Sequence, residues 1–288
     1  MMFKKFIQIW HQINRKRTLF IRKLVGKNSF LFSISKRQKF IVTVIMLSLI
    51  LFASEQLFGK GGVYIAIFLS VFTDILIFWA VRKDLRNNFS PQIFILPFFY
   101  SLACALFYFL FPARLAVRIA MTSVYAIGLY SLLLSENIFV VSSIRTIALL
   151  SSARTVSFII TILTYLFLTN VIFSLHLNIF LTLLLIFTLS FPLILHSFWT
   201  HVLDNKFASN ILWIFLLAVC SVELALAVWF WPAVPMLIGI FLAGFFYVFV
   251  GLSQIWLDRR LFKNAIWGYV WLSFLTLLLF ATFSLKTS

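Results

Sequence analysis

The sequence predicts an all-α fold, a polytopic transmembrane helix bundle of about nine spans with a cytoplasmic N-terminus and an extracytoplasmic C-terminus. Three observations predict it. First, 63% of the 288 residues are hydrophobic and only 11% are charged, against roughly 45–50% and about 25% for a water-soluble domain. Second, uninterrupted apolar runs of about 20 residues, the length a helix needs to cross a bilayer, recur along the chain. Third, Lys and Arg outnumber Asp and Glu by 24 to 7, and the excess is gathered at the ends of the apolar runs rather than spread over a surface.

Residues 1–39 form the first element. They begin MMFKKFIQIWHQINRKRTLFIRKLVG and carry eleven of the cations. Phe3, Phe6, Ile9, Trp10, Ile13, Leu19 and Ile21 lie among those cations, which is the pattern of a basic amphipathic helix at a membrane surface. Its expected partners are anionic lipid headgroups, each cation contributing about 1 kcal/mol near the surface. A cleavable signal is not expected, because a charged region of 39 residues before the first apolar run is too long.

Nine spans follow, at 40–58, 62–81, 93–111, 115–134, 156–177, 178–198, 209–231, 234–256 and 265–285. They make residues 40–288 one transmembrane domain. Residues 135–155 are read as a polar connector between the fourth and fifth spans. The fifth and sixth runs meet with almost no intervening polar residue, so they require a tight hairpin near residues 175–178.

Charge orients the set. With the N-terminus inside, the cytoplasmic connectors hold Arg82, Lys83, Arg86, Arg145, Arg154, Lys206, Arg259, Arg260 and Lys263, while only Lys60, Arg114, Arg118 and Lys286 fall elsewhere. Every connector then obeys the positive-inside rule. This placement assigns the basic excess to a membrane and excludes nucleic acid as a partner. The expected location is a cell membrane of the bacterial inner (plasma) type.

Within the spans, ionisable side chains are the strongest functional clues, since a charge at the bilayer centre costs at least about 2.5–3.5 kcal/mol. Asp74, Arg118, Glu223 and Glu55 stand out as a candidate path, with Arg118 placed to neutralise Glu223 or Glu55, and Asp74 within reach of Arg145 or Arg154. A second candidate is a nine-residue repeat, VSSIRTIAL at 141–149 and LSSARTVSF at 150–158. Its Ser142, Ser143, Arg145, Thr146, Ser151, Ser152, Arg154 and Thr155 offer hydroxyls and guanidinium groups suited to an anionic headgroup.

In HSFWTHVLD, His196 and His201 are five residues apart and diverge on a helix, so neither they nor Asp204 are expected to bind metal. Cys104 and Cys220 lie inside apolar runs, as small buried hydrophobes do. Gly239 and Ala243 make a small-xxx-small pattern for close helix approach in the eighth span, and Phe supplies inter-helix and lipid-facing bulk.

No phosphate-binding loop, dinucleotide fingerprint, HExxH or GxSxG is present, and no extramembrane segment after residue 39 is long enough for a catalytic domain. The expectation is a non-enzymatic protein with no cofactor: a transporter or permease-like protein, or the membrane subunit of one, for a small or lipid-linked solute. The alternatives are an intramembrane enzyme or binding protein for a lipid phosphate and a non-catalytic assembly scaffold. All three leave room for membrane or cytoplasmic protein partners.

Overall fold

The computed structural model describes residues 36–58, 62–85, 90–110, 115–142, 149–202, 210–257 and 263–287. Among them the chain is helical throughout, with short turns and no strand. Nine helices are long and apolar enough to cross a membrane: α1 (Lys36–Phe58), α2 (Gly62–Leu85), α3 (Ile95–Leu110), α4 (Leu115–Ser142), α5 (Leu150–Ser174), α6 (Ile179–Val202), α7 (Ile211–Trp229), α8 (Pro235–Leu257) and α9 (Lys263–Thr287). A 3₁₀ turn, Pro91–Phe94, leads into α3, with proline at its start, where the missing N–H would have had no partner. Of the basic arm only residues 36–39 are described, and they open α1. Lys39 lies 4.9 Å from the centre of the Trp79 ring and so ties the start of α1 to α2.

Helix limits depart from the apolar runs at one place. α4 continues through residues 135–142, and α5 begins at Leu150. Most of the stretch 135–155 is therefore helix, and residues 143–148 lie outside the described ones. Ser135, Glu136 and Asn137 interrupt the hydropathy of α4 without interrupting its backbone, because Ser135 and Glu136 turn inward with Leu132, Leu133, Phe139 and Val140. At 28 residues, α4 is about 42 Å long, more than the ~30 Å hydrocarbon layer requires.

The hairpin expected near residue 175 is present. α5 ends at Ser174 and α6 starts at Ile179. His176 adopts the left-handed conformation (φ 47°) that lets four residues reverse the chain, and the Asn178 side chain accepts a hydrogen bond from the Leu181 amide at 3.1 Å, capping α6.

α5 is the hub. It packs on α3, α4, α6 and α8, and 67% of its span is buried, against 11% for α9, which lies at the edge on α8. Without a hydrophobic force between helices in lipid, such contacts depend on close fit. α8 provides it on two faces. A methyl group on Gly239 would sit 3.3 Å from the Leu166 carbonyl oxygen of α5, and one on Gly251 would sit 2.6 Å from the Tyr269 hydroxyl of α9. Aromatic pairs fill the remaining seams, with ring centres 4.3 Å apart for Phe107 and Phe167 and 4.2 Å apart for Tyr165 and Phe246.

Candidate functional site

Among the described residues, an acid and an imidazole are fully enclosed together, Glu136 of α4 and His196 of α6. On α4 the carboxyl shares the buried face with Leu132, Leu133 and Phe139. On α6 the imidazole shares one with Leu189, Leu193 and Trp199. His196 Nε2 and Glu136 Oε1 are 2.8 Å apart and hydrogen-bonded, and both side chains are 0% exposed. Trp199 walls the site, its ring 5.9 Å from the imidazole and edge-on to Phe139 at 6.1 Å.

Two atoms of the pair, Glu136 Oε2 and His196 Nδ1, are buried with no hydrogen-bond partner. One hydrogen bond joins Nε2 and Oε1, and two further polar atoms are left open to a polar guest. It lies near the C-terminal ends of α4 and α6, so only about two helical turns separate it from one face of the bundle.

A belt of polar contacts braces that end. Arg154, near the start of α5, donates from Nε to the Thr200 carbonyl at 3.1 Å and from Nη2 to the His201 carbonyl at 2.6 Å, capping α6 with the fork of one guanidinium. Gln254 of α8 donates to Ser197 Oγ at 2.7 Å, and the indole N–H of Trp213 on α7 donates to Ser253 Oγ of α8 at 3.2 Å. Helices α5 to α8 are therefore cross-linked around His196.

Deeper in the bundle, α2, α3 and α4 meet through a chain of hydroxyls. Thr73 Oγ1 is 2.9 Å from Ser101 Oγ, and Ser101 Oγ is 3.1 Å from the Tyr125 hydroxyl. Tyr100 stacks on Tyr125 and donates to the Val124 carbonyl at 3.0 Å. Asp74 follows Thr73 on α2, half-buried, and its buried Oδ1 has no hydrogen-bond partner. On α5, by contrast, Thr161, Thr164 and Thr169 each donate to the carbonyl four residues back and so satisfy themselves within the helix.

The residues singled out from sequence are not gathered in one place. Arg118 is half-buried in α4, and Glu55 falls in the last turn of α1. Glu223 lies on the exposed face of α7, and among the described residues it makes no ion pair, with Arg118 or any other group. Asp74 likewise makes none with Arg154. In the nine-residue repeat, Ser143, Arg145 and Thr146 lie outside the described residues. Ser142 closes α4 by donating to the Phe139 carbonyl, and Ser151, Ser152 and Thr155 are exposed on the first turns of α5. His201 is half-buried, while Asp204 lies outside the described residues.

Glu136 escapes a reading by hydropathy because it sits past the last strongly apolar stretch of its span. Its partner is 60 residues away in the chain, a contact no local pattern announces. The available signal was the inward spacing of Leu132, Leu133, Glu136, Phe139 and Val140 at three and four residues.

A cavity of about 350 Å³ opens at the other end of the bundle, between the α5–α6 and α7–α8 turns. Phe173, His176, Thr182, Trp229, Trp231 and Ile238 are among its lining residues. His176 Nδ1 donates to the Ser174 carbonyl at 2.9 Å, which leaves Nε2 as the ring's acceptor.

Among the described residues, nine apolar helices whose outer surfaces suit contact with a lipid bilayer, enclosing a small set of buried polar groups, define a multi-pass α-helical membrane protein. Within that class the chain belongs to the family described as Protein of unknown function (DUF5656), whose model matches residues 62–283. No curated protein and no solved structure matches the chain.

Proposed function

We propose that this protein is a transporter or permease-like protein, or the membrane subunit of one, for a small or lipid-linked solute, and that Glu136 and His196 are its ionisable centre. It would lie in the bacterial plasma membrane with its N-terminus in the cytoplasm, where the positive-inside rule puts the basic arm and the end of the bundle that holds the pair.

The observation that carries this reading is a fully enclosed carboxyl–imidazole pair with Oε2 and Nδ1 unsatisfied. A buried polar atom without a partner costs about 1–3 kcal/mol, and a bundle built only to scaffold other proteins gains nothing by retaining two of them where Leu would pack. A centre that binds and releases a proton, or accepts a polar guest as helices move, needs such atoms free. Asp74 on α2, with its own unpartnered Oδ1, is a further acid with a buried oxygen.

The test is water access to the interior. Thr164 and Ser190 are 0% exposed, so a sealed scaffold protects Thr164→Cys and Ser190→Cys from a membrane-impermeant thiol reagent indefinitely. A protein that opens its interior to each side in turn lets at least one of them react in proteoliposomes. The parent chain, with Cys104 and Cys220, gives the background, and Leu175→Cys, 51% exposed at the hairpin, gives the positive control. Reaction at the control with none at either interior position refutes the transport reading.

A further inference from the structure

Glu223 is out of place for an interior residue. It lies on the exposed face of α7, about 18 Å along the axis from Ile211 and about 9 Å from Trp229 at a rise of 1.5 Å per residue, and so within the hydrocarbon layer. Among the described residues nothing hydrogen-bonds it. Leu212, Phe215, Val219, Ala227 and Phe230 fall on the same side at helical spacing; Leu212 is 68% exposed and Phe230 is 70% exposed. An apolar outer stripe is ordinary for a helix facing lipid. A carboxyl at its centre is not, because acidic side chains in spans almost always face protein or water.

We infer that this face of α7 is the interface between two copies of the chain, with the two Glu223 carboxyls hydrogen-bonded to each other across a two-fold axis. The chemistry selects a second copy. A two-fold interface requires a group that complements itself, and a protonated carboxyl, with one O–H donor and one C=O acceptor, does so in a reciprocal pair. A cationic residue on an unrelated helix would satisfy one carboxylate, but that needs a second kind of polypeptide, whereas every copy of this chain carries the matching group at the matching depth. Val219 and Ala227, one turn to each side, are smaller than their Phe neighbours and let two helices approach closely at the level of the acid. The inference does not depend on the transport reading, since it concerns the outer face of the bundle.

The experiment is disulfide trapping in native membranes, in a Cys220→Ser background because Cys220 is on the same helix. Ala227→Cys and Val219→Cys are expected to give a cross-linked dimer on mild oxidation. Leu275→Cys, 54% exposed on α9, is expected to give none. Adding Glu223→Leu lowers the dimer yield at Ala227→Cys roughly tenfold, the scale of a lost interhelical polar contact. Glu223→Gln keeps the yield within about twofold, because its amide is also donor and acceptor. A dimer that is insensitive to Glu223→Leu overturns the inference, as does equal trapping at Leu275→Cys. Absence of any dimer at Val219→Cys and Ala227→Cys also overturns it and points to a heterologous partner. Elution of each variant as a monodisperse peak after extraction separates loss of pairing from loss of fold.

Discussion

Replacing Glu136 by Leu removes the only hydrogen-bond partner that His196 has among the described residues and leaves both imidazole nitrogens unsatisfied in a site with 0% exposure. In a water-soluble protein, breaking a buried pair by removing one member costs about 3–5 kcal/mol. In a membrane the reference state also finds polar partners, and measured side-chain couplings average about 0.6 with a maximum near 1.7 kcal/mol. The short Nε2–Oε1 contact at 2.8 Å and the aromatic wall put this pair at the upper end, so Glu136→Leu and His196→Leu are each expected to lose about 1–2 kcal/mol as orphaned groups. The double replacement leaves two apolar side chains in contact and is expected within ~1 kcal/mol of the parent.

The coupling energy that follows is at least about 1 kcal/mol, above the ~0.5 kcal/mol within which independent sites add. Reversible unfolding in mixed micelles by increasing fractions of a denaturing detergent, followed by tryptophan fluorescence, measures all four proteins on one scale. Additive losses, or a double variant less stable than either single one, would refute the view that these two side chains answer each other.

Three further outcomes are expected. Gly128→Ala places a methyl group against the Tyr100 hydroxyl, 2.6 Å from Cζ, so Tyr100 must leave its carbonyl and the protein should lose about 1–3 kcal/mol in the same unfolding assay; an unchanged midpoint would show that the ring gives way freely. Arg154→Lys replaces a fork that reaches two carbonyls with a point donor and is expected to lose about 1–2 kcal/mol, together with faster proteolysis between α6 and α7 in detergent; Arg154→Ala should lose no less. Trp231→Phe keeps the ring that packs on Phe280 but removes the N–H that reaches Ser284. The expected result is about 0.5–1.5 kcal/mol less stability and quicker hydrogen exchange confined to α9.

Hydropathy suffices for the helices because lipid leaves a crossing chain few options: every backbone N–H and C=O must be bonded within the segment, so about 20 apolar residues in a row become a helix whatever their neighbours. The tight hairpin at residues 175–178 was legible for the same reason, since two full spans left no residues for a loop. The limits of α4 were not. Ser135, Glu136 and Asn137 look like a departure into water when summed, yet what decides their place is which side of the helix they take. Glu223 differs: its place along α7 is legible in the chain, but its bearing around the helix is not, because bearing depends on neighbours that only the packed bundle supplies. Glu136 and His196 needed both kinds of knowledge at once, a depth and a bearing on two helices far apart in the chain.

The position of α5 also has a consequence for how the protein is made. Helices enter the membrane in the order of synthesis, and α5 emerges well before α8, the neighbour that covers much of it. For that interval part of the buried side of α5, which carries Thr161 and Thr164, has yet to be covered. Their hydroxyls already donate to the Ser157 and Ile160 carbonyls of their own helix, so α5 can wait in the bilayer with those donors satisfied. The residues that need a distant partner, Glu136 on α4 and Arg154 on α5, lie within about two turns of a helix end, the shortest reach to water until α6 arrives.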